Sequence, residues 1–122
     1  MKTIAVIEDN ADNRLLLRAF LSGTYTVVDF ESAPAAWEAL HRQRPDLLLL
    51  DISLPVMDGT EFLKKIRADP ELRDLPVIAL TAHAMSGDRE KFLAAGFNEY
   101  ISKPIVDERL LFSAIGRLLS HG

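Results

Sequence analysis

Five short apolar runs, each followed by a stretch of helix-forming residues, limit what this chain can fold into more than any other feature. The runs are Thr3-Ile4-Ala5-Val6-Ile7, Tyr25-Thr26-Val27-Val28, Leu47-Leu48-Leu49-Leu50, Val77-Ile78-Ala79-Leu80 and a weaker one at Glu99-Tyr100-Ile101. Strand-like runs that alternate with five amphipathic stretches over short connections predict a parallel sheet covered by helices, a (βα)5 arrangement of the α/β class. Unbroken apolarity, in place of in-out alternation, predicts strands buried on both faces. Helix ends are marked as well: Asn10 caps the first helix, Ser32 stands before Pro34 at the second, Asp58-Gly59 opens the third, and Asp69-Pro70 and Gly96 mark later exits. On a helical wheel Asn13, Leu16, Leu17, Phe20 and Leu21 share one arc, while Leu15 points away from Leu17 and is expected at the surface.

With 122 residues, no repeats and no linker-like tract, residues 1–122 are expected to form one domain. A hydrophobic share of 48% beside 26% charged residues is that of a soluble globular protein. No run approaches the roughly 18 apolar residues of a membrane span. The start, Met1-Lys2-Thr3-Ile4, leads within a few residues to Glu8 and Asp9, too short for a secretory signal core, so a cytoplasmic location is expected. The absence of cysteine removes disulfides, thiolate metal sites and cysteine nucleophiles. A net charge of -4 without a basic stripe argues against direct nucleic-acid binding.

In an open parallel sheet, ligands gather outside the carboxyl ends of the strands. There the first run ends at Glu8-Asp9, the third at Asp51, the fourth at Thr81, and the fifth is followed by Lys103-Pro104. Three carboxylates brought together repel one another unless a cation lies among them. An all-oxygen ligand set favours Mg²⁺ over Zn²⁺, and Mg²⁺ keeps coordination positions open for water and phosphate. Lys103 supplies a charge that can pair with Asp51 at rest and with a phosphate oxygen afterwards, and the Thr81 hydroxyl can donate to the same oxygen. Phosphoryl transfer needs mainly positioning and charge neutralisation, so this set is sufficient with Asp51 as nucleophile. Each residue taken alone reads more simply, the acids as helix caps or solvated loop residues, Thr81 as a cap and Lys103 as a solvated chain. Their joint placement, and an acid set directly after Leu47–Leu50, favours the functional reading. His41, His83 and His121 are scattered without ligand spacing and read as non-catalytic, and Trp37, Met57 and Met85 as packing.

These residues resemble a response-regulator receiver domain, the phospho-acceptor module of two-component signalling. The resemblance rests on V-I-E-D-N at 6 to 10, P-D-L-L-L-L-D-I-S-L-P-V-M-D-G at 45 to 59, A-L-T-A at 79 to 82 and Y-I-S-K-P at 100 to 104. The runs E-D-N-A-D-N-R-L-L-L and A-H-A-M-S-G-D are most similar to single-domain regulators of the DivK type and to receivers of hybrid kinases. The resemblance implies a flavodoxin-like doubly wound sandwich with strand order 2-1-3-4-5. It implies Asp51 as phosphorylation site, Asp9, Asp51 and the Ser53 backbone carbonyl as Mg²⁺ ligands, and Glu8 holding metal-bound water. Thr81 and Tyr100 become a switch pair, Lys103 a phosphate partner, Ser53 and His83 the residues flanking the phosphate, and Pro104 a cis-proline. Glu8 stands where many receivers carry aspartate.

The implied partners are a histidine kinase or histidine phosphotransfer protein as donor and a protein target downstream, with no membrane and no nucleic acid. The expected readout is the surface of the fourth helix, fifth strand and fifth helix, and dimerisation on phosphorylation is left open. The implied role is a switch and not an enzyme, beyond its own phosphorylation and slow autodephosphorylation. A haloacid-dehalogenase-type phosphatase would carry a second acid two residues after Asp51, where Ser53 stands. A flavin-binding module would need a hydroxyl- and glycine-rich loop after the first strand, which is missing. A receiver-like module that binds partners without phosphorylation stays open.

Overall fold

The structure, a computed structural model, describes residues 1–54, 57–82, 88–103, 105 and 107–120. Five parallel strands, β1 (Thr3–Ile7), β2 (Thr26–Phe30), β3 (Leu47–Asp51), β4 (Val77–Thr81) and β5 (Glu99–Ser102), form one sheet in the order β2-β1-β3-β4-β5. Four helices connect them, α1 (Ala11–Leu21), α2 (Ala33–Arg42), α3 (Gly59–Ala68) and α4 (Asp88–Ala95), and α5 (Glu108–Ser120) follows β5. The (βα)5 order and the 2-1-3-4-5 strand sequence agree with expectation.

The central strands show why unbroken apolar runs suit this place. Every residue of β3 and β4 is buried, and successive leucines serve opposite faces. Leu48 and Leu50 join a cluster with Ala33, Ala36 and Leu40 of α2 and Phe62, Leu63 and Ile66 of α3. Leu47 and Leu49 join Leu17 and Leu21 of α1 and Leu111, Ala114 and Ile115 of α5. Each fully buried leucine contributes about 1.5–3 kcal/mol of transfer free energy, so the two clusters hold both helical layers on the sheet. Among the described residues, no helix is long and apolar enough to cross a membrane.

Side chains close the helix ends as the sequence predicts. Asn10 Oδ1 accepts from the Asn13 amide at 3.0 Å, Ser32 Oγ from Ala35 at 3.3 Å and Asp58 Oδ1 from Glu61 at 2.9 Å. Gly96, with φ +113°, leaves α4 in a conformation open to residues without a Cβ. Asp69 caps α3, and beyond it the Arg67 guanidinium donates to the carbonyls of Arg73, Leu75 and Gly96 and to Asn98 Oδ1, fastening two connections to one side chain.

Three details differ from the sequence reading. Tyr25 donates its amide to Leu21 at 2.8 Å and so belongs to the turn leaving α1, and β2 runs two residues past Val28, through Asp29 to Phe30. Leu16 is 38% exposed although it lies on the arc assigned to the core, while Leu15, at 68%, is exposed as expected. The helix α4 is not amphipathic: none of its residues is buried, and Phe92 is only half-buried. His83, Met85, Pro104 and His121 lie outside the described residues.

Candidate functional site

The strand order reverses at β1, which pairs with β2 on one side and β3 on the other, and a crevice opens outside the carboxyl ends of β1 and β3. Glu8 follows β1 directly and Asp51 closes β3. Side-chain alternation places Glu8 on the face of Val6, Asp51 on that of Leu49 and Lys103 on that of Ile101, three members of the cluster under α1 and α5. The convergence of two acids and one cation thus follows from strand register.

Oxygens of Glu8, Asp9 and Asp51 lie within 4.8 Å of one another. Glu8 and Asp51 are buried and Asp9 is exposed, which leaves the cluster one side open to solvent. Lys103 Nζ lies 2.9 Å from Glu8 Oε1 and 3.1 Å from Asp51 Oδ2. Glu8 Oε1 also accepts from Asn13 Nδ2 at 3.3 Å, and Oε2 from the Asn10 amide at 3.1 Å. Asp51 Oδ1 accepts from the Ser53 amide at 3.0 Å. Burial raises the Glu8 carboxyl above the ordinary range, the neighbouring Asp51 adds to this, and Lys103 works against it. Burial alone would lower the Lys103 ammonium, but its contacts with Glu8 and Asp51 outweigh that and raise it.

Three clustered carboxyl groups beside one ammonium put more acids than cations in a partly buried place, an imbalance that a divalent cation relieves. An all-oxygen donor set open on the Asp9 side fits Mg²⁺, a hard ion that retains water and phosphate ligands.

Of the other residues expected at the site, Thr81 and Tyr100 are among the described residues, whereas His83 and Pro104 are not. Thr81 is buried at the end of β4, one residue beyond Leu80, the register partner of Asp51. Its backbone carbonyl accepts from the Lys103 amide at 2.7 Å. Tyr100 pairs in register with Ala79, so it shares a sheet face with Thr81 two positions on, and its ring packs on Phe92 with centroids 5.5 Å apart. His41 is distant from this site, its ring nitrogens 2.8 Å from the Trp37 carbonyl oxygen and 2.7 Å from Asp69 Oδ2. Trp37 packs edge-on against Phe62 and lies 4.6 Å beneath the Lys65 ammonium, in keeping with a packing role.

Sequence reasoning read Gly59 only as part of the opening of the third helix and passed over Arg14. Gly59 donates to the Ile52 carbonyl at 2.9 Å, and a Cβ there would stand 2.5 Å from the Asp51 carbonyl oxygen, so only glycine lets α3 begin against the end of β3. Arg14 Nη1 donates to the carbonyls of Glu8 at 2.7 Å and Asp9 at 3.1 Å. A cation so near the positive end of a helix is the one sequence signal that pointed to it.

The profile of the response regulator receiver domain matches residues 4–115. The polar-differentiation response regulator DivK of Brucella anthropi is 40% identical over 111 residues, 90% of each chain, and that of Brucella abortus gives the same figures. A response regulator from Chloroflexus aurantiacus superposes with a TM-score of 0.90 at 28% identity over 98% of each chain. The receiver domain of sensor histidine kinase PA1611 from Pseudomonas aeruginosa, solved with magnesium coordinated in its active-site cleft, gives 0.87 at 38% identity over 98% of each chain.

Proposed function

This chain belongs to the response regulator receiver domain family, and from that premise we propose that it takes a phosphoryl group onto Asp51 from a phosphohistidine of a histidine kinase or phosphotransfer protein. The observation that carries the reading is the buried Asp51 carboxylate, held by Lys103 and clustered with Glu8 and Asp9 at the sheet's carboxyl edge. Asp9, Asp51 and the Ser53 carbonyl would hold Mg²⁺, with Glu8 reaching it through water. Bound there, Mg²⁺ would neutralise the charge on the transferring oxygens.

The chain's own residues have separate tasks. An oxygen of Asp51 attacks phosphorus, the bond from phosphorus to the imidazole nitrogen breaks, and the donor ring leaves with the electron pair. Lys103, already beside Asp51, pairs with the new phosphate, and the Thr81 hydroxyl donates to one of its oxygens. Thr81 moving toward the phosphate opens space on its sheet face for Tyr100, which couples the event to the surface of α4, β5 and α5. A groove of about 400 Å³ on that surface, lined by Arg89, Glu99, Tyr100, Leu110 and Arg117, supports a protein target there. The chain then acts in the cytoplasm as one switch spanning residues 1–122, with slow loss of its own phosphate as its only turnover.

Phosphotransfer from a set of purified histidine kinases and phosphotransfer proteins, with Mg²⁺ present, tests the reading. One preferred donor and Mg²⁺-dependent capture of beryllofluoride are expected. No uptake from any donor, from acetyl phosphate or of beryllofluoride would leave a partner-binding module without a phosphorylation switch.

A further inference from the structure

The connection from β1 to α1 carries two of the three clustered acids; the side chains of Glu8 and Asn10 brace it toward α1, and its backbone is held by two further contacts. Its amide side is held by the Glu8 N–H, which donates to the Phe30 carbonyl at 3.0 Å. Its carbonyl side is held by one nitrogen, Arg14 Nη1, 2.7 Å from the Glu8 oxygen and 3.1 Å from the Asp9 oxygen. Consecutive carbonyls in a strand point to opposite sides, so acceptance of one donor by both sets the two peptide planes at the bend from which Asp9 projects.

The guanidinium is itself anchored. Its Nε lies 3.4 Å from Asp29 Oδ2. Asp29 Oδ1 is held in turn by Arg18 Nε at 3.1 Å and Nη2 at 2.8 Å. The Arg14 and Asp29 side chains are 19% and 23% exposed, so the pair is largely withdrawn from water. The tether thus runs from the edge strand β2 through Asp29 and Arg14 to the backbone of both acids. A permanent cation beside a site for a divalent ion works against binding by simple Coulomb repulsion, which leaves geometry as the use of this arginine.

We propose that Arg14, held by Asp29, is a positioning residue that presets the Glu8–Asp9 backbone for the divalent cation. The inference rests on the metal-assisted reading given above. Charge and position make opposite predictions for Arg14→Ala. Loss of a nearby positive charge tightens Mg²⁺ binding, whereas loss of an orienting partner weakens it by about tenfold, as removal of outer partners of metal ligands typically does.

Calorimetric titration of the full chain with MgCl₂ decides between them, alongside thermal unfolding without metal. The expected result is weaker Mg²⁺ binding for Arg14→Ala, with a smaller loss for Arg14→Lys, which keeps the charge but lacks the guanidinium's set of fixed donors. If Arg14→Ala does not fold, Arg14→Lys carries the test, and affinity equal to the unaltered chain overturns the proposal. Unchanged or tighter binding by folded Arg14→Ala, even with a lower melting temperature, also overturns it, since that is the mark of a merely structural arginine. An unaltered chain that takes up no Mg²⁺ overturns the metal reading itself, and the inference with it.

Discussion

Lys103 Nζ lies 2.9 Å from Oε1 of Glu8, although the two residues are 95 positions apart, and the same ammonium is 3.1 Å from Asp51. The lysine is shared between two buried acids, and removing it takes away the counter-charge that both share. Lys103→Ala should therefore lower stability at neutral pH by about 2 kcal/mol in the absence of metal, less than the roughly 3–5 kcal/mol of a fully buried pair because Lys103 keeps some exposure. Added Mg²⁺ should restore much of it. Urea titrations with and without Mg²⁺ check this, and equal losses in both would show that the acids need no cation.

Gly59 meets the Asp51 carbonyl oxygen at a distance no side chain tolerates. Gly59→Ala should force the start of α3 away from β3, destabilise the fold by about 1–3 kcal/mol and slow phosphoryl uptake at Asp51. Thermal unfolding and the uptake rate from acetyl phosphate measure the two effects. An unaltered rate would show that Asp51 does not depend on this close approach.

The ring of His41 faces acceptors on both sides, the Trp37 carbonyl and the Asp69 carboxylate, so only the doubly protonated ring satisfies both. The Trp37 carbonyl is the main cause that raises His41, with Asp69 next, and the His41 bond is the main cause that lowers Asp69. A raised histidine contributes stability below its ordinary value near 6.5 that is lost as pH rises through the raised folded value. A lowered aspartate contributes stability above its ordinary value that is lost as pH falls through the lowered one. The bridge between α2 and the end of α3 therefore weakens as pH rises from about 6.5 through the raised His41 value, and His41→Gln should flatten the melting temperature across that range. A parallel decline in both proteins would contradict the assignment.

Arg67 ties the end of α3 to the segments on either side of β4 through four acceptors. Arg67→Ala should cost about 2–3 kcal/mol, as expected for lost bonds to a charged donor. Arg67→Lys should recover little, because an ammonium cannot match the planar fork. Denaturant titrations give the magnitude, and full recovery by lysine would mean that charge alone matters.

The frame and the three acids were legible in the sequence because each rests on local pattern. Leu47–Leu50 announces a strand buried on both faces, and Asp51 directly after it is a carboxylate in an apolar place. Polar residues engaged over long separations were harder to read. Asp29 obscured the end of β2 because its charge is balanced by Arg14 and Arg18 of the preceding helix. The Glu8–Lys103 pair and the His41–Asp69 bridge join residues 95 and 28 apart, and no spacing rule records such contacts. Leu16 sits on the core arc by angle alone, but at its position in the middle of α1 it lines the Glu8–Lys103 crevice and keeps contact with solvent.

The most direct test of the account is Mg²⁺-dependent phosphoryl labelling of the full chain from a phosphorylated histidine donor, followed by peptide mapping. One base- and hydroxylamine-labile phosphate per chain is predicted, located on Asp51, and it is lost both in Asp51→Asn and on removal of Mg²⁺. Full labelling of Asp51→Asn, or labelling indifferent to Mg²⁺, would contradict it.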